Sequence, residues 1–431
     1  MPREVVFDLS RLATRFSRST PNGIDRVDLR YAQHFLGHSR GGRGVLASPL
    51  GPRLVENLPA RRLLDDLTAH WREDMSVGAE PPYSEFSKWF AAGAEGKVRT
   101  RLDADAGRQT VASLAAFLKS ANVFVGGILS GGSLVSSAPP NAVYLNISQF
   151  PLFLSRYFRF LHKRPDIKAV FMVHDILPLI YPEFFPPIEQ RVHSARVDVV
   201  ARCASGIIVS HSETKDALVD QIKRRGGSVP PIATIPISVD EQFAYSEKRD
   251  FNALGRPYFV VLGTVEPRKN HLLLLQVWRE LVAERGDDVP QLVIIGANGW
   301  ENENVRDLLE RTTQIARHVR WLEALRTPQL VEIFRGARAL LMPSFAEGFG
   351  LPVSEALTLG IPVVASELPC FRGLDGPTYL SPDDGLGWKK EILRIFDAER
   401  SSTEHCGISL DNLRRQSLCR LRDMEDFLST I

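Results

Sequence analysis

The 431-residue chain is poor in cysteine: Cys203, Cys370, Cys406 and Cys419 are scattered, with no CxxC or other metal-ligand spacing. That speaks against a disulfide scaffold and against a zinc site, and points to a reducing compartment. Charge of one sign is also lacking. The 53 Lys and Arg against 51 Asp and Glu leave a formal net charge of +2, so no obligate nucleic-acid binder is implied. No signal-peptide core opens the chain; MPREVVFDLSRL reads as a strand. The most apolar long stretch, AVFMVHDILPLIYPEFF, carries His174, Asp175 and prolines and cannot span a membrane. No GxGxxG follows the first strand of either half, which removes the nicotinamide-binding fingerprint. Internal repeats and low-complexity tracts are missing too. What is present is 44% hydrophobic and 24% charged residues, in a length that predicts two domains.

Short β-branched runs alternate with amphipathic helical runs almost from end to end. EVVFDLS, NVFVGG, AVYLNIS, KAVFMVHDI, GIIVSHS and IATIPIS read as strands of the first half. IDRVDLRYAQHFL, EQRVHSARVDVVAR and ETKDALVDQIKRR read as its helices. Between about 52 and 115 the rhythm lapses into a helical or irregular excursion, and DEQFAYSEKRDFNALGRP reads as a linker. The pattern restarts with YFVVLGT, LLLLQVWRELVAE, QLVIIG, HVRWLE, ALLMPS and IPVVAS. The fold class is α/β: two doubly wound, Rossmann-like domains facing a central cleft. The expected boundaries are 1–245, 246–405, and a terminal helix over 406–431 that returns toward the first domain.

The segment PSFAEGFGLPVSEAL places a glycine-bearing loop between a strand end and a helix start. Gly348 and Gly350 suit a close backbone approach to a ligand, and the helix start offers free N–H groups to an anion. Glu347 sits in the loop and Glu355 follows eight residues later on the helix. A carboxylate repels phosphate, so these two suit sugar hydroxyls instead. A capping glutamate in a plain turn is the alternative reading.

This segment resembles the E-x7-E signature of retaining GT-B glycosyltransferases of glycosyltransferase family 4. GTVEPRKN resembles the family's donor-diphosphate loop, and LVIIGANGW, HVRWLEALRTPQLVEIFRGARALLMPS and IPVVASELPCF follow in its order. NGIDRV, FMVHDILPL, IIVSHSETKDAL and IATIPISVD match more weakly, also in order. The resemblance implies that Arg268 and Lys269 neutralise the diphosphate of a nucleotide sugar, without a metal or other cofactor. It implies that Glu355 takes the ribose, that Glu347 holds the transferred sugar, and that Gly348, Phe349, Gly350 and Leu351 line sugar and phosphate. Gly23 would approach the diphosphate from the other domain, although a plain capping turn serves equally well there. His174 would touch sugar or acceptor. An Arg-Lys pair solvated before a helix capped by Asn270, and a satisfied strand-end histidine, are the bland alternatives. Ser212 reads as the N-cap of its helix.

The implied reaction is transfer of a hexose, mannose from GDP-mannose as first choice, to a glycan or lipid-linked glycan hydroxyl in polysaccharide biosynthesis. A nucleotide-sugar epimerase, a sugar phosphorylase and a non-catalytic sugar binder are the alternatives on the same fold. The stretch SRYFRFLHKRPDIK interleaves Arg156, Arg159, Lys163 and Arg164 with aromatics. It suits either anionic lipid at the inner membrane face or burial of its rings in the domain core. The expected location is cytoplasmic.

Overall fold

Two sheets form from short runs that are apolar at nearly every position, as sheets covered on both faces require. The computed structural model describes residues 3–18, 20–37, 41–72, 99–101, 131–245, 256–323, 325–398 and 407–431. The expected strand NVFVGG, the middle of the expected linker and Cys406 lie outside these residues. One unit comprises Met1–Asp74, Gly107–Ser238 and Arg415–Ile431, and the other Met75–Ala106 and Val239–Arg414.

In the first unit the sheet runs Gly132–Ser133, Arg53–Val55, Arg43–Leu46, Val5–Asp8, Val143–Asn146, Lys168–Val173, Gly206–Val209 and Ile232–Thr234. Period-2 alternation sorts its side chains between two cores. Phe7, Leu145, Val170, Met172 and Ile208 pack on one face, with helices Gly23–Leu36 and Asn57–Arg72. Val6, Tyr144, Phe171, Ile207 and Val209 pack on the other, with helices Pro187–Cys203 and Ser212–Arg224. The doubly wound expectation needs one correction. Arg53–Val55 pairs antiparallel with Arg43–Leu46 and with Gly132–Ser133. The connection over 47–52 is too short for a crossover, so the chain turns back as a hairpin. The strand Arg43–Leu46 escapes sequence reading because glycines surround it.

The second unit has an all-parallel sheet: Thr378–Leu380, Val363–Ser366, Ala339–Met342, Tyr258–Leu262, Gln291–Ile295, Val319–Glu323 and Arg99–Arg101. Tyr258, Val260, Val293, Leu340 and Met342 face one core; Phe259, Val261, Ile294, Trp321 and Leu341 face the other. The chain leaves Tyr258–Leu262 toward Gln291–Ile295 and later returns to its opposite side at Ala339–Met342. That reversal is a switch point, where loops beyond the carboxyl ends of the strands splay apart and leave room for a ligand.

The unit begins at Val239, ahead of the expected 245/246 boundary, because Phe243 is fully buried against Phe334. The terminal helix Leu410–Thr430 gives Leu413 to this unit's core and Leu421, Met424 and Leu428 to that of the first. Among the described residues no helix is long and apolar enough to cross a membrane.

Candidate active site

Both loops at the second unit's switch point carry expected site residues. The first follows Tyr258–Leu262. Gly263, at φ +154°, makes room for the Lys269 stem, since a Cβ there would stand 2.8 Å from Lys269 Cε. A single 3-10 turn, Pro267–Lys269, presents Arg268 and Lys269, and Asn270 enters the helix His271–Arg285 in the left-handed region at φ +54°. Asn270 does not cap that helix with its side chain. Its amide donates to the Pro343 carbonyl at 3.1 Å and the Pro382 carbonyl at 2.9 Å, tying three loops together. The Phe345 amide donates to the Arg268 carbonyl at 2.7 Å, which fixes the second loop against the first.

These ties bring Arg268, Lys269 and Glu347 into contact across 78 residues of chain. Lys269 Nζ donates to Glu347 Oε1 at 2.6 Å, and Arg268 Nη1 donates to Glu347 Oε2 at 3.0 Å. Ser344 Oγ donates to the same carboxylate at 2.6 Å. Arg268 also meets the Ala346 carbonyl at 2.8 Å, and its Nε lies 2.6 Å from Glu266 Oε1. The solvated-pair alternative is thereby excluded: Lys269 is only 6% exposed.

Burial would raise the Glu347 carboxyl, but Lys269 and Arg268 outweigh it and hold it down at about 2. Burial pushes the Lys269 ammonium down against the pull of Glu347, and pushes Glu266 up against that of Arg268. Two buried acids therefore balance two cations, and the cluster is formally neutral. Sequence reading missed Glu266 and Ser344. Glu266 stands inside the diphosphate-loop motif, where an acid beside Arg-Lys was the available signal; nothing in the sequence pairs Ser344 with Glu347.

The glycine loop serves its own fold as well as any ligand. Gly350 adopts φ +69°, and a Cβ there would stand 2.0 Å from Phe371 Cε1. Gly348 is not among the left-handed glycines. Gly348 and Phe349 are half-buried, and Leu351 opens the helix Leu351–Thr358, on which Glu355 is buried. The Gly360 amide donates to Leu357 and the Ile361 amide to Ala356, so left-handed Gly360 closes this helix.

Gly23 and His174 belong to the first unit. Gly23 is the first helical residue after Asn22, whose side chain accepts from the Asp25 amide while Asp25 accepts from the Asn22 amide. The capping turn is thus real. Ser212 is not an N-cap: His211 holds that position without a side-chain bond. His174 follows the strand Lys168–Val173 and is 6% exposed. Its Nε2 donates to the Ile147 carbonyl at 2.8 Å, leaving Nδ1 as a buried acceptor without a partner. Ser210 Oγ donates to the His174 carbonyl at 3.4 Å.

Burial lowers the His174 pKa to about 4, so the ring folds neutral and must be protonated when the chain unfolds below its usual value. Stability from this group is full above about pH 6.5 and is lost as pH falls toward 4. His174→Asn should therefore lose about 2 kcal/mol less than wild type between pH 7.5 and pH 5, read by urea titration at both values. Equal losses in the two proteins would show that His174 is already charged when folded.

Nearby lies a group that sequence reading passed over. Asp8 accepts from the Ser10 amide at 2.8 Å and from the Tyr144 hydroxyl, while Asp25 receives Arg11 Nε at 2.8 Å and Arg15 Nε at 3.0 Å. Asp28 is fully buried with neither carboxyl oxygen bonded, and its pKa stands well above normal, chiefly through burial. The basic, aromatic stretch 155–168 takes the second of its two readings. Tyr157, Phe158 and Phe160 are buried against Tyr144 and Phe171, so these rings are not available to lipid.

Residues 245–374 match the family described as Glycosyl transferases group 1, a span that holds both loops of the charged cluster. The chain is 30% identical to the serotype-specific mannosyltransferase WbdA of Escherichia coli over 47% of its own length and 26% of that protein. With the O-antigen chain mannosyltransferase B of Escherichia coli it shares 30% identity over 50% of its own length and 57% of that protein. It thus spans well under two thirds of each of these relatives.

Among solved structures, HepE of Anabaena, in complex with UDP and glucose, covers 100% of both chains at 16% identity and a TM-score of 0.58. The α,α-trehalose 6-phosphate synthase of Burkholderia multivorans covers 99% of this chain and 97% of its own at 15% identity and a TM-score of 0.55. The fold is GT-B. Within the second unit, residues 245–374 are the part of this chain that is similar to the glycosyl transferases group 1 family.

Proposed function

We propose that the protein is a retaining, metal-independent glycosyltransferase that moves a hexose from a nucleotide-diphosphate sugar to a glycan or lipid-linked glycan hydroxyl. The observation that carries this reading is the buried Arg268–Lys269–Glu347 cluster at the switch point of the second unit. As the nucleoside diphosphate departs, negative charge grows on its phosphates and positive character grows on the anomeric carbon. Arg268 and Lys269 stabilise the first without a metal ion. Glu347 already accepts from three donors and keeps about one lone-pair site for a sugar hydroxyl. Glu355 takes the ribose, and the backbone of Gly348 to Leu351 lines sugar and phosphate. His174 offers Nδ1 as an acceptor to a hydroxyl of sugar or acceptor.

No carboxylate is assigned as a covalent nucleophile, so substitution on the same face of the sugar is the simplest route to retention. Mannose from GDP-mannose, used in polysaccharide assembly, is the first choice. It is supported by similarity to two enzymes whose names specify mannosyl transfer. We place the work in the cytoplasm, where the free thiols Cys203, Cys370 and Cys419 stay reduced. Incubating the protein with a panel of nucleotide sugars and mannosylated acceptors, and reading the product by NMR, tests the reading. An α-linked product from an α-linked donor is expected. A β-linked product, or a free epimerised nucleotide sugar without transfer, would contradict it.

A further inference from the structure

The cluster that faces the donor is balanced before any donor arrives: Glu266 and Glu347 cancel Arg268 and Lys269. A nucleoside diphosphate brings two or three negative charges into that surrounding. The residue next in the chain is His271, the first of the helix His271–Arg285. It is 2% exposed, and neither Nδ1 nor Nε2 has a hydrogen-bond partner. Along its helix it shares the buried stripe of Leu274, Leu275 and Trp278, which is otherwise apolar. Buried polar atoms left unbonded are destabilising, so an imidazole here needs a reason.

We propose that His271 binds a proton as the nucleoside diphosphate enters, and so supplies the positive charge that the balanced loop lacks. This rests on the donor-site reading above. Lys269 and Arg268 are the charged groups that act on the ring, and both oppose its protonation; with burial as the larger cause, they hold its pKa at about 3 in the empty site. Several acids near the loop are engaged elsewhere. Glu266 and Glu347 are bound to the same two cations. In the loop that Asn270 holds, Asp383 is exposed and Asp384 accepts from the Gly387 amide. On the helix Gly385–Asp397, Lys389 pairs with Glu280 and Glu284, further along. A diphosphate adds its negative charges to a cluster that is already balanced, so the net charge beside His271 turns negative and its attraction for a proton works against burial as well as against the two cations. The helix N-terminus adds to the burial and the two cations that disfavour a charged ring while the site is empty.

The test is calorimetric titration of wild type and His271→Asn with GDP and with UDP, near pH 7, in two buffers of different ionisation enthalpy. The nucleotide's own phosphate exchanges protons too, so the difference between the two proteins is the quantity read. Wild type should take up close to one proton more than the variant. The variant should bind about tenfold more weakly near pH 7, with a deficit that widens toward pH 6. His271→Leu should show the same loss while its thermal unfolding midpoint stays at or above wild type, which separates binding from folding. Equal proton uptake in wild type and both variants would overturn the proposal while leaving the donor site standing. No binding of either diphosphate by wild type would overturn the donor-site reading and this inference with it.

Discussion

Arg268→Ala should lower transfer on the order of 10³-fold, the scale seen when a positioned donor to developing phosphate charge is removed. Its guanidinium reaches Glu347, the Ala346 carbonyl and Glu266 from one place, so truncation does more than delete a charge. Glu266, already raised by burial, would lose its nearest cation and be drawn toward the neutral acid. Both the donor's KM and kcat should suffer, because the diphosphate charge is bound in the ground state and grows in the transition state. Arg268→Lys should recover only part of the loss, since a single ammonium cannot bridge the positions that the planar fork spans. Steady-state kinetics on the purified variants reads both effects. An Arg268→Ala enzyme within tenfold of wild type would remove this residue from the chemistry.

The second large effect is expected from Glu347→Gln, and it separates two roles. Lys269 would stay buried without the counter-charge that now stands 2.6 Å away. Breaking such a pair costs about 3–5 kcal/mol of stability, visible as a lower urea midpoint. Transfer should fall about 10²-fold or more, because the sugar loses its acceptor. Nucleoside-diphosphate affinity should hold or rise, since the ligand's own charge replaces the lost carboxylate. Glu355→Gln should do the reverse, weakening nucleotide binding with a smaller effect on turnover. If Glu347→Gln loses the nucleotide and Glu355→Gln keeps it, the roles are exchanged.

The sequence is legible wherever local chemistry decides the structure. Val143–Asn146, Lys168–Val173 and Gly206–Val209 are dense in β-branched and aromatic residues, and their covered sheet reads directly from that density. Gly360 is legible as a helix stop because only its left-handed backbone closes the turn. The hairpin of Arg43–Leu46 and Arg53–Val55 is not legible. Its glycines and prolines look like loop, and its strands are defined by partners far along the chain.

The site divides in the same way. Arg268, Lys269, Glu347 and Glu355 stand in recognisable spacing, but that spacing does not reveal that the first three form one buried ion-pair cluster. Asn270 shows how a local rule misleads. Its position before a helix suggests a cap, whereas the real demand comes from the Pro343 and Pro382 carbonyls, which tertiary structure alone brings near. His271 was readable in principle, as the one polar residue on the 271, 274, 275, 278 stripe, yet the leucines after it hide the anomaly.

The central claim is that protein cations alone answer the charge of the leaving diphosphate. The most direct measurement is the rate of sugar transfer by wild type in excess EDTA, beside the rate with added Mg²⁺ or Mn²⁺. The two rates should agree within about a factor of two, because the protein's own cations fill the metal's electrostatic role. Loss of transfer in EDTA, restored by either ion, would contradict it.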